Sequence, residues 1–594
     1  VAGQYFYKVG SDGNFLPLSG GTVSGNTYID ATLSANTLNL VNIPVNDDSL
    51  NQVLVRDSVT GDVKYRDVSS IVGSLDLGKI LFVAETGDDS TGTKGDISKP
   101  YRNLYAAKSA STSGDTVYVY PGTWIYDNTD AAGNPYNGNM DTLVNLWKDG
   151  VSYYFSPNSK VIFYNQTVTG ENMHLFIPPN TATTVESCSV YGELEWEGSS
   201  IGVNTSNGGA GFHTISGFYD NAYRFSAKVK SLVSKSSGIG YAGIYGYSGN
   251  TEGSFTLDAD LLEVDYQGGQ SGNGGAVAVQ CDGKFITTIN VKEIRSSFHA
   301  FYLRSDSYNE GNRFVANVDY MYANSFAILQ RHSIGEEFIF NINNGTFGSC
   351  LLRNESITTG TTTINGNFRT ITDTTFPIFN LNANQPNTLV FNGTIKPDNT
   401  SGDGRRIFQT NSGNQKVIAN CNILYESDLT TTSRIFEINN GDVTFDGIID
   451  GNFSGPIARV ISGGKLTIKN SEINSSFTGG TLFSNTNTTN SKVIVKDSKI
   501  ILNNSVSDLY DGQYLNTYIL NSNIKNEGSS SIFTNTTSNG LLQIQNSGLV
   551  CSSGTTINIS GSAPLTVTNV TTNTPVNATS ISGTLTELTE LDIE

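Results

Sequence analysis

Over much of this chain apolar residues occupy every second position in short runs, and each run closes on an Asn or Asp. Lys465-Leu466-Thr467-Ile468-Lys469 ends on Asn470, and Lys492-Val493-Ile494-Val495-Lys496 ends on Asp497. Thr517-Tyr518-Ile519-Leu520 leads to Asn521, Leu542-Gln543-Ile544-Gln545 to Asn546, and Leu565-Thr566-Val567-Thr568 to Asn569. The marks are spaced by 27, 24, 25 and 23 residues. Upstream, Asn290, Asn317, Asn344, Asn365, Asn392, Asn420 and Asp446 extend the series with steps of 27, 27, 21, 27, 28 and 26. A period of two is the mark of a strand with one buried face. A period near 25 matches one turn of a three-sided solenoid, in which three short strands alternate with three turns. The pattern therefore predicts an all-β, right-handed single-stranded parallel β-helix. Each Asn or Asp is expected at a bend, where its side chain satisfies backbone donors or stacks on the next coil.

The chain divides by pattern into four parts. Residues 1–78 are expected as an extended N-terminal arm, too thin to bury a core without partner chains or a larger particle, with a predicted hairpin in which Val53, Val55 and then Val63, Tyr65 flank Thr60-Gly61-Asp62. Residues 79–126 are the β-helix entry. There the spacing of Leu104, Ala107, Lys108 and Ala110 within Tyr101–Ser113 predicts a short amphipathic helix. Residues 127–575 are the β-helix body and 576–594 a C-terminal end segment.

The entry carries Phe82-Val83, Gly87-Asp88-Asp89, Gly92-Thr93, Lys99-Pro100-Tyr101, Ala106-Ala107, Gly114-Asp115-Thr116-Val117 and Pro121-Gly122-Thr123-Trp124 in this order. The series resembles the opening of pectate-lyase-like β-helix proteins over residues 80–126. That resemblance implies that the small helix covers the open N-terminal end of the core. It speaks to fold rather than activity.

Composition narrows the function classes. Charged residues are 15% of the chain, while 29 Phe and 28 Tyr supply a core; 62 Gly supply turns. A net charge of -19 repels phosphate backbones and anionic membranes, so neither nucleic acid nor membrane insertion is expected. Cys188, Cys281, Cys350, Cys421 and Cys551 lack metal-ligand spacing and are expected as buried thiols, which suits assembly in a reducing cytoplasm. The start Val1-Ala2-Gly3-Gln4 does not read as a signal peptide. No cofactor motif and no metal motif stands out.

Candidate chemistry lies in residues 275–356. His299–Asp306, Phe326–His332 and Cys350–Glu355 share a strand pattern, preceded by Ala276–Asp282. In register, Arg304 stacks near Arg331 and Asp282 near Asp306, with His332 and Glu355 close by. Asp306, Arg304, Asp282, Arg331 and Glu355 are the candidate catalytic residues. Two carboxylates about 5–10 Å apart serve glycoside hydrolysis. Arginine beside them suits acidic sugars, and the pectate lyase resemblance implies Arg304 or Arg331 as a base. Tyr302, Tyr308, His332 and Arg353 are candidate glycan contacts, in coils also rich in Tyr241, Tyr245 and Tyr247. The bland alternative is a solvated ion-pair stripe, with Tyr245 and Tyr302 filling the lumen. A second patch aligns Asp260, Lys292 and Asp319, near Asp258 and Glu263. Glu193, Glu195 and Glu197 alternate on one strand, and their mutual repulsion would favour a bound cation.

Arm segments such as Gly20-Gly21-Thr22-Val23-Ser24-Gly25-Asn26-Thr27 look like virion-proximal parts of phage fibre proteins. The expected protein is a bacteriophage tail spike or tail fibre that binds bacterial surface polysaccharide, located on the virion and assembled in the host cytoplasm. Resemblance to tail spikes implies a homotrimer, with other virion proteins as partners of the arm. A glycan depolymerase on the same scaffold is the alternative, and a bacterial adhesin or secreted polysaccharide lyase the next.

Overall fold

The computed structural model describes strand residues 6–9, 14–17, 52–56 and 63–67, then 77–127, 146–165, 173–176, 185–200, 212–217, 223–236, 243–248, 253–266, 275–281, 285–304, 313–331, 337–355, 360–371 and, with short gaps, most of 376–587. Two compact units result, Val1–Asp76 and Leu77–Glu594. In the first, Phe6–Val9 pairs antiparallel with Asn14–Pro17, and Gln52–Arg56 with Val63–Asp67. The second pairing is the hairpin expected from the valine alternation.

The second unit is a right-handed parallel β-solenoid. Its strands stack into a 25-stranded sheet and a 13-stranded sheet, and a 3-stranded sheet near the C-terminal end. Alternation builds the lumen directly. Along Gln415–Leu424, Val417, Ala419, Cys421 and Ile423 point inward, while Lys416 and Asn420 face water. Like residues stack on like from coil to coil. The Phe379 and Phe408 rings are parallel at 4.8 Å, and Phe436 continues the column at 5.7 Å. Such a stack follows the spacing of hydrogen-bonded strands.

The helix forms at Leu104–Ala110. Asn103 caps it by accepting a hydrogen bond from the Tyr105 amide, and Leu104 and Ala107 enter the same core as Leu81, Val83 and Val117. The solenoid runs to the other end past residue 575, because Ile581–Glu587 adds a parallel rung to Leu565–Thr572.

The long sheet folds over a corner, and the Asn ladder lies there. Asn290 donates to Asp258, Asn317 to Asn290, Asn341 to Asn317, Asn365 to Asn341, Asn392 to Asn365 and Asn420 to Asn392, all at 2.6–2.9 Å. Asn344, expected as a rung, is not one. It sits beyond the corner, opposite Tyr320 and Asn367, and Asn341 holds the ladder position. Asn341, Asn343 and Asn344 crowd within four residues, and of the three only Asn341 lies opposite Asn317, while Asn343 donates to Asp319.

The corner is turned in two ways. At Gly366, Gly393 and Gly447 the residue after the ladder position has φ of 145°, 147° and 154°, and a Cβ there would strike the carbonyl of the coil below. From Asn470 onward the ladder residue itself is left-handed: Asn470, Asp497, Asn521, Asn546 and Asn569 have φ of 48–55°. A serine follows four of these five. Ser471, Ser498 and Ser522 each accept or donate along a second, inner ladder, as in Ser471 N–H to Ser498 Oγ at 3.2 Å and Ser498 N–H to Ser522 Oγ at 3.1 Å.

Candidate functional site

The outer face of the 13-stranded sheet brings the predicted residues into one column. Strand pairing sets Gln280 against Arg304, Arg304 against Arg331, and Arg331 against Glu355. Arg304 is described by its backbone alone. Asp282, Asp306, Tyr308 and His332 lie outside the described residues, as do Tyr241 and the side chains of Tyr245 and Tyr247.

Glu355 stands between two guanidinium groups. Arg353 Nη2 lies 2.6 Å from its Oε1, and Arg331 Nε lies 3.6 Å from its Oε2. Arg353 is also held over the rings of Phe326 and Phe376, at 5.1 and 4.8 Å. Salt bridge and cation–π contact together fix the plane of this guanidinium. Glu355 thus orients arginines. Beneath it, His299 is buried, stacked parallel on Phe326 at 4.9 Å, with its Nδ1 accepting from the Phe326 amide at 3.3 Å. Burial, and then the nearby Arg353 charge, push the imidazole down to about 3, so it is neutral at physiological pH.

Tyr302 is corrected. It pairs with Leu329, which pairs with Arg353, but both Tyr302 and Leu329 are buried, Tyr302 at 1% exposure. Burying an aromatic ring outweighs displaying it, and Tyr302 offers no face to a sugar.

Further along the same face lie residues that were not anticipated. Glu437 is 3% exposed and receives Arg434 Nη1 at 2.9 Å and Arg459 Nη1 at 3.3 Å. Arg406 pairs in register with Arg434 and donates to Gln409 at 3.0 Å. The sequence signal was present: Arg406-Ile407-Phe408-Gln409 recurs 28 residues on as Arg434-Ile435-Phe436-Glu437.

The second patch forms at the corner of the long sheet. Lys292 Nζ is 2.7 Å from Asp260, Asn343 donates to Asp319 at 2.9 Å, and Asn290 donates to Asp258 at 2.6 Å. These residues line an open groove of about 590 Å³ together with Lys228, Asn317 and Asn341. Its carboxylates are committed to partners, which favours the ion-pair stripe. Glu263 faces Arg295 at 3.7 Å. Glu195 and Glu197 do not form an open acid cluster: Lys230 takes Glu195 at 2.6 Å and Lys160 takes Glu197 at 2.8 Å. Among the described residues no group of His, Cys, Asp and Glu is placed to hold a metal, and no helix is long and apolar enough to cross a membrane.

Fold and surface together define a class: a parallel β-solenoid with ordered polar ladders on its corner and an arginine-rich outer face. No family model, curated protein or solved structure matches the chain.

Proposed function

We propose that this chain is a tail spike or tail fibre protein of a tailed bacteriophage, and that it binds bacterial surface polysaccharide during host attachment. The observation that carries the reading is the Arg331–Glu355–Arg353 cluster on the face of a stacked solenoid. A solenoid presents equivalent side chains at intervals of about 4.8 Å along a rod, a spacing suited to a repeating polymer. Planar, oriented guanidinium groups recognise sugar carboxylates and hydroxyls in fixed geometry. The chain acts as a homotrimer in this reading, with the N-terminal unit joining other virion proteins.

The test is adsorption. Purified chain added to susceptible cells should compete with phage for attachment, and light scattering should give three times the chain mass. Competition absent at saturating protein would refute the receptor-binding role. Depolymerase activity is favoured by one observation, the register of Arg304 and Arg331 over Glu355. Release of reducing ends from capsule or lipopolysaccharide, or absorbance of an unsaturated product, would reveal it.

A further inference from the structure

The chain carries 54 acidic and 35 basic residues, yet one of its faces reverses that balance. The described strands of the 13-stranded sheet contain six of the chain's fourteen arginines: Arg304, Arg331, Arg353, Arg406, Arg434 and Arg459. They contain no lysine, and three acids, Glu355, Glu437 and Asp511. The lysines of the solenoid strands lie on the long sheet, as Lys160, Lys228, Lys292, Lys465 and Lys492 do. A need for positive charge or solubility alone would not exclude lysine. What distinguishes arginine is a rigid planar fork that meets an oxyanion with two parallel bonds. The forks here are pre-oriented. Glu355 and the two Phe rings hold Arg353, Glu437 engages Arg434 and Arg459 through one nitrogen each, and Gln409 holds Arg406. Among the described residues the buried Nε atoms of Arg353, Arg406 and Arg434 have no acceptor.

We infer that this face, from Arg331 to Arg459, is a binding strip for the anionic groups of an acidic polysaccharide, with Arg406, Arg434 and Arg459 forming a second subsite beyond the Arg331–Arg353 cluster. The inference rests on the glycan-binding reading and adds the chemical class of the glycan. A net charge of -19 disfavours nonspecific polyanion binding, so any such affinity is local to the strip.

The experiment measures binding of the full chain to polygalacturonate, alginate, hyaluronate and neutral dextran, and to polysaccharide extracted from host cells. At least one acidic polymer should bind tenfold or more tightly than dextran, with affinity falling as salt rises. The pair Arg406→Ala and Arg434→Ala should reduce that affinity at least tenfold, while Arg406→Lys and Arg434→Lys recover part of it. The lysine pair keeps charge, and circular dichroism confirms that each variant is folded. Acidic polymers that bind no better than dextran, or an alanine pair that binds as well as wild type, would overturn the strip. Host polysaccharide bound without preference for acids sinks the strip and leaves receptor binding intact. Binding to none of them sinks both.

Discussion

Asn341 donates its side-chain amide to Asn317 at 2.8 Å across one coil, whereas Asn344 lies past the corner beside Tyr320 and Asn367. The two residues are chemically identical and three apart, and their register against the coil below separates a ladder rung from a surface residue. Replacing Asn341 by Ala breaks a bond to each neighbouring coil and should cost about 1–2 kcal/mol. Replacing Asn344 should stay within about 0.5 kcal/mol. Urea midpoints of the two variants check this, and equal losses would count against the register.

Left-handed ladder residues impose a different demand. Asn521 has φ of 48°. Asn521→Val places a β-branched side chain in that conformation and should lose about 1–2 kcal/mol, while Asn521→Gly should be nearly neutral in backbone terms and lose only the amide bonds. Thermal unfolding of both variants reads the difference. Gly no better than Val would contradict the assigned turn.

Burial should silence the thiols. Cys188, Cys350, Cys421 and Cys551 are buried, and burial pushes Cys188 and Cys350 up to about 12 and Cys421 also well upward. A thiol-exchange dye should leave these four unreacted in the native chain and label them in denaturant. Rapid native labelling of any of them would mean that the lumen opens.

His299 links stability to pH. Its folded value lies near 3, below the ordinary 6.5. As pH falls below 6.5 the unfolded chain takes up a proton that the folded chain refuses, so stability declines between about 6.5 and 3. The slope is roughly 1.4 kcal/mol per unit within that window. Above 6.5 the effect vanishes. His299→Leu should flatten the decline between pH 6.5 and 5, measured by urea unfolding at each pH. An unchanged slope would show that His299 takes up its proton in the folded state.

The winding was legible because turn chemistry repeats. A left-handed or bulged corner accepts few residue types, so Asn470, Asp497, Asn521, Asn546 and Asn569 advertise each coil. The helix at Leu104–Ala110 was legible from its apolar spacing. The outer face of the second sheet was legible only in part. Register placed Arg304, Arg331 and Glu355 together because their strands follow the marks at nearly constant distance. Tyr302 was misjudged because alternation says which side a residue takes and says nothing of what covers that side. Arg406 and Arg434 were not legible as a site although their strands repeat one motif, because a lone Glu437 between arginines forms no carboxylate pair.

Hydrogen–deuterium exchange of the chain with and without host surface polysaccharide tests the central claim most directly. The expected result is protection along Phe326–Arg331, Cys350–Glu355, Arg406–Thr410 and Arg434–Asn439, with Phe379–Leu381 as the coil between the second and third. Protection confined to the long sheet, or none at saturating polysaccharide, would contradict it.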